Sequence, residues 1–280
     1  VPKWQNVQKF PINYPMKLLI PVLVSPVLMS LCSTQVLAAI QTRTIEYKHG
    51  NTVLEGYLAF DDSIQGKRPG VLVVHEWNGL QSFVKQRTEE LAKLGYVAFA
   101  ADIYGKGIRP NNPQESGKQA TMYRQDRQLL RDRTNAGLKV LQQNPLTDIQ
   151  RIAAIGYCFG GGTVLELARS GANIAGVASF HGNLDTPNPN DAKNIKAKVL
   201  VLHGADDPLV PEEQVQAFAT EMREANVDWQ LISYGGAVHS FTNPEANNPP
   251  QSLYNPVVEK RSWQALKQFF AEIFQKPTNS

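Results

Sequence analysis

Cysteine is scarce: Cys32 and Cys158 are the two in 280 residues. No run of like charges occurs either, and acidic residues are missing altogether from residues 1–38. The formal charge of +3 therefore sits in Lys3, Lys9 and Lys17; without them the 28 basic side chains fall to the number of acidic ones, 25. That balance leaves no general basic field to attract nucleic acid or an anionic membrane surface. Long apolar runs are lacking too. The stretch from Leu18 to Leu31 is shorter than the roughly 20 residues needed to span a bilayer, and Pro21 and Pro26 interrupt it. There is no internal repeat and no low-complexity segment. What remains, 42% hydrophobic and 19% charged, is an ordinary globular composition with length enough for one large domain.

The apolar stretch belongs to the segment "MKLLIPVLVSPVLMSLCSTQVLA", which opens on Met16 and Lys17 and closes on Val36, Leu37 and Ala38. A positive start, a short apolar centre and a small residue at the end match a secretory signal. Residues 1–38 are therefore read as an N-terminal extension and signal, with a start at Met16 and cleavage after Ala38 or Ala39 preferred to an uncleaved anchor. Leu31 is too bulky before Cys32 for a lipoprotein site. The expected location is periplasmic or secreted. Cleavage removes Cys32 and leaves Cys158 alone, unable to form an internal disulfide. Such a thiol is either buried and inert or kept for its reactivity.

From residue 43 onward the chain alternates short apolar runs with helical patterns. "TRTIEY", "TVLEGYLAF", "VLVVHE", "YVAFAAD", "RIAAIGY", "IAGVASFHG", "KVLVLHG" and "WQLISYG" read as strands. Helical patterns fall at 82–94, 114–142, 161–170, 211–225 and 256–275. The first two strands lie close together and alternate in polarity, as an edge hairpin does. The central strands are nearly all apolar, as strands covered on both faces must be. Strand–helix alternation predicts a mostly parallel central sheet with helices on both faces. The Pro/Asn stretches at 185–190 and 243–250 are loops too short to separate domains, so residues 40–280 form one α/β domain.

In such sheets ligands gather beyond the carboxyl ends of the strands. The residues at that edge are His75, Glu76, Asp102, Cys158, His181, Asp206 and Asp207, with His239 just past the last strand. Gly156-Tyr157-Cys158-Phe159-Gly160 fits the nucleophile elbow G-x-S-x-G with Cys in place of Ser, between a strand and a helix. The glycines relieve collisions in a strained turn. Asp207 and His239 follow in the chain order a triad requires. Taken singly, each has an ordinary alternative: a packed core thiol, a helix-approach cap, a surface histidine. Scattered His75, His181 and His203 lack metal-ligand spacing, so no metal is expected.

"VVHEWNGL", "GYCFGG", "GADDPLVP" and "HSF" together resemble the dienelactone hydrolase family of the α/β-hydrolase fold. The resemblance implies Cys158 as nucleophile, His239 as general base and Asp207 as the carboxylate that orients it. It further implies that Glu76 holds the resting thiol and helps deprotonate it. The oxyanion hole would be the backbone N–H groups of Phe159 and Trp77, and no cofactor is used. Physical chemistry asks for such partners. A free thiol is only a few per cent ionised at neutral pH, and a helix N-terminus contributes roughly 0.3–1 kcal/mol, about one pKa unit or less. A base is needed as well.

A thiolate is a good leaving group, so its tetrahedral adduct collapses backwards against an alkoxide or amine and forwards against an enolate or phenolate. The expected substrate is a small activated ester or enol-lactone, turned over by a monomer. Family members that act on carboxylated lactones use two arginines, but Lys106 stands at one of those positions, and Thr242 and Asn243 at the other. Lysine lacks the planar fork that grips a carboxylate in two places. Lys106 is therefore either a substrate contact or a solvated loop lysine. Trp77 is a candidate wall of the substrate site. Two other readings stay open: a non-catalytic ligand-binding protein on the same fold, and a thioesterase or acyl-transfer enzyme.

Overall fold

The computed structural model describes residues 40–275. The segment read as extension and signal, residues 1–38 with Cys32, lies outside the described residues. Ten strands and six α-helices follow in order: β1 Ile40–His49, β2 Thr52–Asp61, β3 Arg68–Val74, α1 Ser82–Lys93, β4 Val97–Ala101, α2 Pro113–Gln125, α3 Arg127–Gln143, β5 Thr147–Tyr157, α4 Phe159–Arg169, β6 Gly176–Phe180, β7 Lys198–Gly204, α5 Glu212–Glu224, β8 Trp229–Tyr234, β9 Asn247–Asn248, β10 Ser252–Leu253 and α6 Pro256–Ile273. Eight of the strands form one sheet in the order β1-β2-β4-β3-β5-β6-β7-β8. The edge hairpin β1–β2 and the β2–β4 pair are antiparallel; every other neighbour is parallel. This is the α/β-hydrolase arrangement.

Period-two alternation sends successive side chains of each strand to opposite faces, and both faces here are apolar. Leu72 and Val74 of β3 join Phe99, Ile152, Leu138 and Leu165 in the core beneath α3 and α4. Val71 and Val73 join Ile155, Leu202, Leu91 and Phe270 beneath α1 and α6. That double coverage is why the central strands read as continuous apolar runs. Among the described residues no helix is long and apolar enough to cross a membrane.

Two details depart from the sequence reading. The single helical pattern at 114–142 breaks at Asp126, which ends α2 and caps α3 by accepting the Leu129 N–H at 2.9 Å. The elbow helix also begins earlier than expected, at Phe159, directly after the cysteine. Helix α4 is buried along its whole length. Its charged residues are paired: Arg169 grips both carboxylate oxygens of Glu221 on α5 at 2.7 Å and reaches Glu166 at 3.0 Å.

Candidate active site

Cys158 is the one residue between β5 and α4, and the turn forces it to φ +54°, ψ −116°. Backbone of that kind is costly for a side-chain-bearing residue and persists only where its surroundings impose it. The surroundings do. A Cβ on Gly156 would meet the Gly160 carbonyl oxygen at 2.0 Å, and one on Gly160 would meet that of Val74 at 2.3 Å. The Cys158 N–H is shared between the Phe180 carbonyl at 3.0 Å and His181 Nδ1 at 3.2 Å. The thiol, 7% exposed, stands at the N-terminus of α4.

The loop after β7 brings Asp207, and the loop after β8 brings His239. Asp207 Oδ2 accepts from His239 Nδ1 at 2.8 Å, while Oδ1 accepts the Leu209 N–H at 2.9 Å, so the carboxylate is held from two sides. The His239 carbonyl accepts from Leu253 N–H at 3.1 Å, which ties the histidine loop to β10. Burial works against a charge on His239. Cys158 beside it and the Asp207 carboxylate outweigh burial and raise its pKa to about 10.

Glu76 is buried, and Asn243 Nδ2 donates to its Oε2 at 2.7 Å. Burial raises its pKa to about 7 against the opposing effects of that hydrogen bond and the His239 charge. Among the described residues no acceptor takes the N–H of Phe159 or Trp77. Trp77, Cys158 and His239 line one cavity of about 450 Å³ together with Arg124, Asn183 and Leu209.

The structure thus brings together Cys158, Asp207, His239, Glu76, Phe159 and Trp77. Lys106 is elsewhere. The loop after β4 carries it to the surface, where its Nζ pairs with Glu46 of β1, and it does not line the cavity. Arg124 of α2 lines the cavity instead; it is half-buried, donates to Asn183 Oδ1 and, among the described residues, has no carboxylate partner. No motif marks Arg124 in the sequence. Asn243, noted for not being arginine, is the partner of Glu76 instead. Asp102 has a local task, accepting the N–H groups of Glu55, Tyr104 and Gly105 at 3.0–3.1 Å. Asp206 accepts the Gly236 N–H at 3.0 Å and does the same for the β8 turn. No group of three His, Cys, Asp or Glu side chains among the described residues is arranged to hold a metal.

The model of the dienelactone hydrolase family matches residues 54–274. The chain is similar to a crystal structure titled as a dienelactone hydrolase-like promiscuous phosphotriesterase from metagenomic libraries, with 41% identity and a TM-score of 0.82 over 85% of this chain and 100% of that one. It is 27% identical over 230 residues to the protein named "Putative carboxymethylenebutenolidase" in Aquifex aeolicus, which covers 81% of this chain and 96% of the relative. A dienelactone hydrolase structure from Anabaena variabilis shares the fold at 20% identity, with a TM-score of 0.63 over 83% of this chain and 98% of that one.

Proposed function

The chain belongs to the dienelactone hydrolase family and is a carboxylic ester hydrolase; from that premise we propose that Cys158, His239 and Asp207 cleave activated esters or enol-lactones. The Asp207 bond engages His239 Nδ1 and leaves Nε2 to take the thiol proton. The thiolate attacks the substrate carbonyl, and the N–H groups of Phe159 and Trp77 take up the charge on its oxygen. Collapse forms a thioester on Cys158 and expels an enolate or phenolate, which His239 protonates. Water, deprotonated by His239, then attacks the thioester and releases the acid, and Cys158 leaves as thiolate. Glu76, a carboxyl whose pKa is raised to about 7, is placed to exchange a proton with the resting site. No step asks for a cofactor.

The observation that carries this reading is geometric: His239, tied through Nδ1 to Asp207 at 2.8 Å, lines one cavity with Cys158, which stands at the strained turn before α4. Cys158→Ala is expected to lower turnover of para-nitrophenyl acetate by at least about 10³-fold with the melting temperature nearly unchanged. Full turnover in that variant would return the protein to the class of non-catalytic ligand binders. Thioester substrates assayed alongside separate lactonase from thioesterase action. Comparable kcat/KM on alkyl and aryl esters would overturn the substrate reading.

Arg124 supports a substrate that carries an anionic substituent, because this half-buried guanidinium lines the same cavity as the thiol and, among the described residues, has no carboxylate partner. A second activity is favoured by the 41% identical phosphotriesterase: slow turnover of aryl phosphotriesters at the same thiol. The Met16–Ala38 segment supports export to the periplasm or the medium, which N-terminal sequencing of the native protein tests.

A further inference from the structure

His75 has no part in the steps above, yet its ring stacks against Phe159 and holds the carbonyl of the peptide that carries the Trp77 N–H. It follows β3 directly and is fully buried. Its Nε2 accepts the Ile103 N–H at 3.2 Å, which leaves the ring proton on Nδ1, and Nδ1 donates to the Glu76 carbonyl at 2.6 Å. The Gly79 N–H donates to the same carbonyl at 3.1 Å. That carbonyl and the Trp77 N–H belong to one planar trans peptide, so fixing the oxygen fixes an N–H that points the opposite way. Tyr104 holds the next peptide, its hydroxyl donating to the Trp77 carbonyl at 2.9 Å. On the elbow side the His75 ring lies nearly parallel to that of Phe159, with centroids 5.9 Å apart and planes 17° apart. Tyr104 meets it edge-on at 4.7 Å. The backbone joins in: a Cβ on Gly160 would come within 2.7 Å of the His75 carbonyl oxygen.

We propose that His75 is a positioning residue for the oxyanion site: its Nδ1–H holds the Glu76–Trp77 peptide so that the Trp77 N–H stays aligned with that of Phe159 as the substrate oxygen gains charge. The proposal rests on the Cys158 reading above. Burial lowers the pKa of His75 to about 4, so the ring is neutral and keeps this donor–acceptor order at pH values well above 4. A donor aligned in advance needs no reorganisation when charge develops, and losing one outright costs about 10²–10³ in kcat. A donor merely loosened keeps part of that effect.

Two variants divide the ring's tasks. His75→Asn retains an N–H where Nδ1 stood and has nothing at Nε2. His75→Gln places an oxygen near Nε2 for Ile103 and leaves the Glu76 carbonyl without its ring donor. Each is measured for kcat on para-nitrophenyl acetate, for the rate of Cys158 alkylation by iodoacetamide, and for melting temperature. Alkylation develops no oxyanion. The expected result is kcat within about threefold of wild type for Asn and about tenfold to hundredfold lower for Gln. Alkylation should stay within about twofold in both.

Equal kcat losses that track melting temperature, or alkylation falling in step with kcat, would overturn the proposal. So would wild-type turnover in His75→Gln. Tyr104→Phe gives an independent measurement if either variant fails to fold. It keeps the ring and loses the hydroxyl brace on Trp77, and kcat should fall about three- to tenfold with KM unchanged; no loss would overturn the bracing. Cys158→Ala in parallel separates the levels. If it is inactive while His75→Gln is fully active, the His75 proposal alone fails; if it is active, the site reading fails as well.

Discussion

A methyl group added to Gly160 would sit 2.3 Å from the Val74 carbonyl oxygen and 2.7 Å from that of His75, backbone atoms that no change of rotamer can move. Gly160→Ala is therefore expected to cost about 1–3 kcal/mol. It should also cut turnover sharply, because the displaced elbow carries both the thiol and the Phe159 N–H. Chemical denaturation and ester turnover on the same preparation check both. The elbow, Asp207 and His239 were legible in the sequence because their spacing, chain order and position at one sheet edge are all one-dimensional signals. Lys106 was not, because its fate depends on where the loop after β4 turns and on Glu46 waiting on β1. Arg124 was invisible for the converse reason: it reaches the cavity only through the packing of α2. Arg124→Gln is expected to lower the kcat/KM ratio of a carboxylated over a neutral aryl ester about tenfold or more, since a hydrogen bond to a charged group is worth about 1.5–3 kcal/mol. An unchanged ratio would remove Arg124 from substrate recognition.

At the scale of elements, α4 sets the site because it starts one residue after the thiol and is buried throughout. Its depth is possible because Arg169 is 1% exposed and neutralised by Glu221 and Glu166. Removing one partner of such a cluster leaves uncompensated buried charge, so Arg169→Met is expected to destabilise the fold by about 3–5 kcal/mol. Urea denaturation measures this, and a loss below about 1 kcal/mol would mean that the carboxylates find other partners. The strands were legible because burial on both faces leaves unbroken runs of Val, Ile, Ala and Phe. The break between α2 and α3 was not. It carries neither Gly nor Pro, and its cue is one Asp whose side chain happens to cap the following turn. His181 stood at a recognised strand end, but its contact with the Cys158 N–H depends on its φ of +40°, which the sequence does not display.

The whole molecule feels its buried titratable groups through pH. Glu76 is raised from 4.5 to about 7, so the folded state holds this proton more tightly than the unfolded chain does. Its contribution to stability is full below about pH 4.5 and is lost as pH rises through about 7. His75 runs the other way: lowered from 6.5 to about 4, it contributes fully above about pH 6.5 and loses that contribution as pH falls through about 4. Glu76→Gln should therefore gain stability relative to wild type between about pH 4.5 and 7. Urea unfolding of both proteins across that range checks the sign, and a constant difference would contradict it. Rapid quenching after mixing with an aryl ester, followed by peptide mass spectrometry, tests most directly whether Cys158 carries the acyl group. The account predicts the acyl mass on the peptide containing Cys158, labile to hydroxylamine, and loss of turnover once that thiol is alkylated. Acyl mass on another residue, or full turnover by protein fully alkylated at Cys158, would contradict it.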